Sequence, residues 1–320
     1  MGRTVKPNIY GAFAPQYALM LKDYVHPDGW TMPVSVKIKN HCYKGKPCHW
    51  TTVLLKAWIP GYADTTTVTE IVNPNEEKIL SPQFIFYTKA LTSLTTPKNA
   101  KIELRAYALN NNKEILFDSQ SEETTIHPVD VYHDEDMLIE NQYMWYGVWV
   151  TPNMDSISSI HNQISENFPN GAIQGQTTEI IKVVYDVLVK KRIRYVDSSN
   201  DVSGGQKIRY PIQTLQRRQA NCLEGVVLFA SILESLGIQP LIVLIPEHAI
   251  LGWYTNDEKT QMDFLETTAT FLEGVDFEAA NKEGIKIYNA NVEKGAFKKG
   301  EANIIDIGQI RRKGIMPNDI

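Results

Sequence analysis

The first part of the chain alternates apolar and polar residues with a period of two. Val34, Val36 and Ile38 occupy alternate positions of one run, and the stretch 101–108 repeats this pattern. Such alternation is typical of half-buried antiparallel strands, because successive side chains point to opposite faces. It predicts further strands at the stretches 51–59, 66–72, 84–87, 114–117 and 123–126.

Turn-forming residues separate these runs, among them Pro60-Gly61 and the three asparagines at 110–112. Six or seven short strands with regular turns predict an all-β domain over residues 1–128, a β-sandwich of the immunoglobulin-like kind, with a barrel as the alternative. The acidic stretch that follows predicts a solvated linker at residues 129–142.

The apolar period changes to that of helices from about residue 143 onward. Asn153 or Asp155 is predicted to cap a helix that ends near residue 168, and Thr177 or Thr178 is predicted to begin another. Strand-like runs come later in the chain. Residues 143–320 are therefore predicted to form an α+β domain with helices first and a sheet after.

One cysteine stands at a predicted helix start. In Asn221-Cys222-Leu223-Glu224 the asparagine is a favoured N-cap, and the glutamate three residues later completes a capping box. Gly237 is predicted to end this helix. The helix N-terminus stabilises a thiolate at Cys222, while Glu224 opposes it as a nearby like charge. The alternative is a small, inert, buried cysteine.

A histidine and a glutamate lie on predicted neighbouring strands downstream. The stretches 238–245, 248–254 and 261–267 predict three strands in succession. Residues two apart share a face of a strand, which places Glu266 beside His248 and Asp263 on the opposite face. Cys222, His248 and Glu266 are thus expected to meet, with Asp263 as the fallback carboxylate.

The order of these motifs resembles the transglutaminase-like superfamily. The similarity rests on Asn221-Cys222 at a helix start, Leu236-Gly237-Ile238 at its end, His248-Ala249 at a strand start, Glu266-Thr267-Thr268 after the next strand, and Lys-Arg-Ile-Arg-Tyr at 191–195. It covers roughly residues 143–315. The chain departs from the family's pattern at Glu266, where aspartate is usual, and at Ile250, where an aromatic residue is usual.

The resemblance implies a cysteine-proteinase-like fold and acyl transfer through a thioester. Cys222 would attack an amide carbonyl, His248 would act as general base and acid, and Glu266 would orient the imidazole. The implied activity is that of a thiol hydrolase, a peptidase or amidase acting on a protein or peptide. A protein cross-linker and a non-catalytic scaffold remain as alternatives. Hydrolysis is preferred because the sequence has no evident calcium loop.

An oxyanion formed in such a reaction needs two hydrogen-bond donors. The backbone N–H of Cys222 is one candidate. The side chains of Gln213 and Gln216, nine and six residues upstream, are candidates for the other. Both are ordinary surface glutamines on the plainer interpretation.

The segment 143–149, Tyr-Met-Trp-Tyr-Gly-Val-Trp, is densely aromatic. We expect it to serve packing at the domain boundary. A wall of the substrate site is the alternative, because pockets often lie between domains.

Composition limits the partners and the compartment. The formal net charge of −5 over 320 residues argues against a dedicated nucleic-acid-binding protein. The sequence has no apolar run of bilayer-spanning length and no apolar signal core at its N-terminus, so a cytoplasmic location is the default, with a secreted or periplasmic one kept open. No cofactor is implied, and the β-sandwich is a candidate surface for a protein partner.

Two further cysteines lie in the first part of the chain, flanked by histidines as His41-Cys42 and Cys48-His49. This pattern invites a zinc site. Adjacent strand residues point to opposite faces, however, so four such ligands converge poorly on a tetrahedral ion. Two free thiols are the simplest prediction, and a cross-strand cysteine pair is geometrically easier than zinc.

Overall fold

The computed structural model describes residues 2–9, 12–13, 34–45, 47–111, 113–132, 142–168, 176–196 and 206–318. The protein is α+β, with several antiparallel sheets. It divides into two compact units, with the boundary between residues 140 and 141. Residues 133–141 of the predicted linker lie outside the described residues. Among the described residues, no helix is both long and apolar enough to cross a bilayer.

The first unit is built from strands. They are β1 (Gly2–Ile9), β2 (Ala12–Phe13), β3 (Val34–His41), β4 (Thr51–Ile59), β5 (Ala63–Val72), β6 (Glu77–Leu80), β7 (Lys98–Asn110), β8 (Lys113–Ile126) and β9 (Val131–Tyr132), with a short helix α1 (Thr88–Thr92). One sheet has the strand order β2-β8-β7-β4-β5 and a second has the order β1-β3-β6. All these pairings are antiparallel except that of β2 with β8.

The predicted alternation is confirmed in this unit. The apolar side chains of β3 at 34, 36 and 38 are buried, and so are alternate residues of β4 and β7. Two details of the prediction were wrong. The stretches 114–117 and 123–126 belong to one long strand, β8, because it pairs with β7 along nearly all of its length. In the stretch 84–87, Phe86 forms only an isolated bridge to Ala63.

The second unit begins with a 3₁₀ helix and then mixes helices with strands. Its helices are the 3₁₀ helix Gln142–Trp149, α2 (Asp155–Ser165), α3 (Thr177–Lys190), α4 (Pro211–Arg217), α5 (Cys222–Ser235), the 3₁₀ helix Thr267–Phe271, α6 (Phe277–Glu293), α7 (Ala296–Lys299) and α8 (Ile307–Arg312). Its strands are β10 (Arg194–Tyr195), β11 (Gln206–Lys207), β12 (Gln219–Ala220), β13 (Pro240–Ile245), β14 (His248–Tyr254), β15 (Met262–Leu265) and β16 (Asn303–Asp306).

The first long helix of this unit differs from its prediction at both ends. Met154, with no side-chain cap, occupies the N-cap position instead of Asn153 or Asp155, and the helix ends at Ser165. Its buried residues, Ile157, Ile160 and Ile164, face the interior. Burial of this apolar stripe stabilises the helix in place of a polar cap.

A four-stranded antiparallel sheet of order β15-β14-β13-β16 forms the centre of the second unit. The almost wholly buried helix α5 packs against β13 and β14. Side chains of α6, among them Tyr288, pack against a cluster that includes Ile250 and Phe264. With helices packed against it, the sheet has a buried core that holds the N-terminus of α5 and the start of β14 in place.

Candidate active site

Helix α5 begins with the capping box that its sequence predicts. The Asn221 side chain accepts a hydrogen bond from the Glu224 backbone N–H (2.8 Å), and the Glu224 carboxylate accepts one from the Asn221 backbone N–H (2.9 Å). Cys222 is the first residue of the helix, as predicted, and Gly237 follows its end with a φ of 76°. The sulfur therefore lies at the positive end of the helix dipole.

The charge of Glu224 is balanced inside the protein. Glu224 is 1% exposed, and Arg209 Nη1 lies 2.8 Å from its Oε2 atom. The Arg209 backbone N–H also donates to Oε1, over 3.0 Å. The expected repulsion between Glu224 and a Cys222 thiolate is thus offset by Arg209. Sequence reasoning missed this cation because it stands 15 residues before Glu224.

Gly225 allows α5 to approach the segment that follows Glu266. A Cβ atom at Gly225 would lie 3.0 Å from the Thr267 hydroxyl oxygen and 3.2 Å from the Phe271 ring. A larger residue would therefore press against the neighbouring 3₁₀ helix. The small side chain lets the first turn of α5 and the Glu266 segment lie close together.

His248 and Glu266 form a short hydrogen bond. His248 opens β14 directly after the two-residue turn that joins it to β13, and it pairs with Ile245, the last residue of β13. Its Nε2 atom lies 2.6 Å from Oε2 of Glu266. The other carboxylate oxygen accepts hydrogen bonds from the backbone N–H (2.9 Å) and the hydroxyl group (2.6 Å) of Thr268. Both oxygens of this 7% exposed glutamate are therefore satisfied.

The local setting of Glu266 differs from the prediction. The third strand ends at Leu265, so Glu266 is not a strand residue but the N-cap of the 3₁₀ helix Thr267–Phe271. Its position therefore follows from the cap and not from strand parity. Asp263 lies on the strand opposite Trp253 and accepts a hydrogen bond from the Asn281 side chain. The structure does not bring Asp263 to the histidine.

Cys222 interacts with the same imidazole. The side chains of Cys222 and His248 are within hydrogen-bonding reach of each other. Because Nε2 is engaged by Glu266, Nδ1 is the ring nitrogen available to the sulfur. Cys222 is a free, partly exposed thiol, and both residues line a pocket of about 360 Å³. The structure therefore brings together the three side chains that the sequence singled out.

This arrangement shifts the protonation of the site. The hydrogen bond with Cys222, and after it the one with Glu266, raises the pKa of His248 from 6.5 to about 10. Burial, the largest influence on Glu266, raises the pKa of its carboxyl group, but hydrogen bonds from His248 and Thr268 outweigh burial and hold that pKa below its ordinary value. At neutral pH the imidazole is therefore protonated and the carboxylate is charged.

The predicted oxyanion glutamines lie elsewhere. Gln213 accepts a hydrogen bond from the Tyr210 backbone N–H (3.0 Å) and so caps α4, whereas Gln216 is an exposed residue of that helix. Neither is among the residues that line the pocket. Gln206 does line it, and its Oε1 atom accepts a hydrogen bond from the Tyr146 hydroxyl group (3.0 Å). The sequence carries no motif that would have identified Gln206.

The pocket walls are aromatic and acidic. Three tyrosines, Tyr143, Tyr146 and Tyr195, line the pocket together with Glu247 and Glu301. The segment 143–149 thus has two roles, since its Trp145 and Trp149 side chains are buried as packing residues. No lysine or arginine is among the described residues that line this pocket.

The remaining cysteines are joined. Cys42 and Cys48 form a disulfide with a Cα–Cα distance of 5.5 Å, so the prediction of two free thiols was wrong. Their Cα atoms lie at the separation that a disulfide requires. Sulfurs bonded to each other cannot serve as zinc thiolates. Over the described ranges, no group of three or more potential ligands is placed to hold a metal ion.

Comparison with known proteins does not assign this chain to a family. No protein-family model matches the chain, and a search of the curated proteins found no relative.

Proposed function

We propose that the second unit is a transglutaminase-like thiol hydrolase that cleaves peptide or amide bonds. The observation that carries this proposal is that Cys222 and Glu266 both interact with the imidazole of His248. A nucleophile, a proton carrier and an orienting carboxylate in contact are the arrangement that thiol acyl transfer requires. A partly exposed thiol beside a pocket supports catalysis over a scaffold with an inert, buried cysteine.

The chemistry follows from the protonation of the site. The Cys222 thiolate attacks the amide carbonyl, forming an S–C bond and an oxyanion. The His248 imidazolium then gives its proton to the leaving nitrogen, the C–N bond breaks, and a thioester and a free amine result. Neutral His248 next takes a proton from water, whose oxygen attacks the thioester. Collapse of this intermediate releases the carboxylic acid and restores the thiolate and the imidazolium.

Two donors would stabilise the oxyanion. The Cys222 backbone N–H belongs to the first turn of α5, where the backbone donors have no partner within the helix. The second is the Gln206 amide group, because the Tyr146 hydroxyl group engages its oxygen and leaves the NH₂ group for the substrate. Hydrogen-bond donors that are fixed in place before the reaction stabilise most strongly the atom on which negative charge develops.

Glu266 holds the imidazole in a single orientation. Its carboxylate is itself held by Thr268 through two hydrogen bonds, so the ring cannot turn without breaking a buried contact. A glutamate is one methylene longer than the aspartate usual in the family. Its place as a helix cap after the end of β15 accommodates that length.

The first unit is proposed to be an immunoglobulin-like β-sandwich that binds a protein partner or presents substrate. Its two sheets and their buried alternate residues support this fold. The disulfide between Cys42 and Cys48 favours a secreted or periplasmic protein over a cytoplasmic one, because such bonds persist in oxidising compartments.

A second candidate function is protein cross-linking, in which a lysine amine replaces water. The two carboxylates Glu247 and Glu301 and the three tyrosines of the pocket favour it, because carboxylates and aromatic rings attract an ammonium group. This candidate uses the same thioester.

Both functions are tested by offering the full chain a fluorogenic peptide-amide library, with and without a fluorescent primary amine. Hydrolysis that Cys222→Ala abolishes supports the hydrolase. Incorporation of the amine into a glutamine-bearing protein, again dependent on Cys222, supports the cross-linker. Failure of both reactions, together with slow alkylation of Cys222, would leave only the scaffold.

A further inference from the structure

Four arginines line a second cleft of the second unit. Arg192, Arg194, Arg217 and Arg218 surround a space of about 820 Å³, within the size range of ligand pockets, roughly 300–1,000 Å³. All four side chains are exposed. Within the part of the chain that the structure describes, none of these four side chains makes a hydrogen bond or an ion pair. We refer to this space as the arginine cleft.

The fold gathers these arginines from two separate segments. Helix α3 ends two residues before Arg192 and helix α4 ends directly before Arg218, and the strands that follow pair in parallel. In that pairing the Arg194 backbone N–H donates to the Arg218 carbonyl oxygen over 2.9 Å. Two basic stretches that are about 25 residues apart in sequence thus lie side by side.

Two of these arginines stand in unusual backbone positions. Arg192 has a φ of 53° and Arg218 a φ of 51°, in the left-handed region where non-glycine residues are uncommon. Glycine or asparagine would adopt this conformation more easily. Both positions hold long cations that border the same cleft.

Helix termini do not account for the whole cluster. The C-terminus of a helix favours a cation in its last turn, which explains Lys190 and Arg217. Arg194 is a strand residue, so the helix dipole does not explain a cation at that position. An adjoining pocket of about 350 Å³ shares Arg192 and Arg218 and adds Lys190 and Lys191. In a chain of net charge −5 this is a local excess of positive charge.

The lining of the cleft indicates the kind of occupant. Leu272 and Val189, 56% and 37% exposed, lie in the same wall as the arginines, and one carboxylate, Glu273, stands among them. A nucleic acid or polyphosphate, with evenly dense negative charge, matches this mixed wall poorly. Carboxylates spaced by apolar side chains match it well, since arginine pairs with carboxylates bidentately.

We propose that the arginine cleft docks an acidic, leucine-containing segment of a polypeptide substrate, away from the scissile bond. The assignment of a polypeptide substrate rests on the proposed hydrolase or cross-linker function. Arg194 and Gln219 border the cleft, whereas the next residue along, Tyr195, lines the pocket of Cys222. Neighbouring strand residues point to opposite faces, so the cleft adjoins the site from behind the short strand pair β10–β12.

The test is equilibrium binding of a fluorescent peptide of alternating glutamates and leucines to the full chain carrying Cys222→Ala. We expect saturable binding that weakens as salt is added. The variant Arg194→Gln with Arg217→Gln should bind about tenfold more weakly, since it removes two cations from the cleft. The matched control, Lys298→Gln with Lys299→Gln, removes two exposed cations elsewhere in the same unit and should bind normally.

A second probe requires no variant that could misfold. The same peptide with every glutamate replaced by glutamine should fail to bind. Equal binding of the two peptides, equal losses in the two double variants, or tighter binding of inorganic tripolyphosphate or a thymidine oligonucleotide would overturn the proposal. Because the Cys222→Ala chain performs no turnover, the docking result stands apart from the success or failure of the proposed catalysis.

Discussion

The Nε2 atom of His248 lies 2.6 Å from the Oε2 atom of Glu266, although the two residues are 18 positions apart in the chain. This contact fixes the plane of the imidazole and leaves Nδ1 for the sulfur of Cys222. The hydrogen bond with Cys222, and after it the one with Glu266, raises the pKa of His248 to about 10, so the ring is protonated at neutral pH. The proposed chemistry of the site depends on this pair.

Replacing the carboxylate tests its role directly. Glu266→Gln keeps the size of the side chain but removes its charge, so we expect kcat for peptide hydrolysis to fall on the order of 10²- to 10⁴-fold with little change in KM. The pKa of His248, followed by NMR, should fall. Asp263→Asn is the control, because Asp263 bonds to Asn281 and not to the histidine, and should leave kcat unchanged. Equal kinetics of the two variants would contradict the assignment.

Alkylation distinguishes the three cysteines. Without a reductant, iodoacetamide should modify Cys222 alone, because Cys42 and Cys48 are bonded to each other. The modification should be slower in His248→Gln, which removes the cation beside the sulfur. Intact-mass measurement and peptide mapping give both results. Labelling of Cys42 under the same conditions, or an unchanged rate in the variant, would count against the geometry.

The buried ion pair of Arg209 and Glu224, beside the start of α5, should be needed for stability. Arg209→Met leaves the 1% exposed Glu224 without its cation, and breaking such a pair costs about 3–5 kcal/mol. The free energy of unfolding in urea measures this cost. Lys182→Met breaks the exposed pair with Glu278 and should cost much less, because solvent screens the attraction between exposed charges. Equal costs for the two variants would show that burial of Glu224 is unimportant.

The stability of the protein should depend on pH through His248. Its pKa is raised in the folded state, so its contribution is complete below the unfolded value of about 6.5 and is lost as pH rises toward about 10. The variant His248→Gln should therefore have a lower Tm than the unsubstituted protein, and this difference should shrink as pH increases across this range. Thermal melts of both proteins at a series of pH values test this, and a constant deficit would disprove it.

Replacing Gln206, which lines the pocket, should affect catalysis, whereas replacing Gln213, which caps α4, should affect stability. Gln206→Leu removes the proposed oxyanion donor and should lower kcat on the order of 10²- to 10³-fold. Gln213→Leu removes the hydrogen bond to the Tyr210 backbone N–H, and should lower stability by about 1 kcal/mol without changing kcat. Steady-state kinetics and urea unfolding of both variants separate the roles. Loss of kcat in Gln213→Leu alone would restore Gln213 as the oxyanion donor, one of the two candidates that the sequence offered.

Much of the local structure could be predicted because it depends on residues close together in the chain. The Asn221–Glu224 capping box closes within one helical turn, so its residue types identify it. The strand pairing of β13 with β14 could be predicted because a tight turn joins two apolar runs. The strands of the first unit followed from alternation, although the length of β8 did not, since strand ends depend on the partner.

The sequence by itself determined where the sulfur and the imidazole stand on their own elements, because caps, turns and apolar periods act over a few residues. It did not determine the setting of the carboxylate, because Glu266 caps a 3₁₀ helix and is not a strand residue. Only the tertiary structure decided that Arg209 neutralises Glu224, that Gln206 and not Gln213 lines the pocket, and that two arginine-bearing segments share one cleft. Those relationships join residues distant in the chain. They depend on which helices and strands pack together, and no local hydrogen-bonding rule specifies that choice.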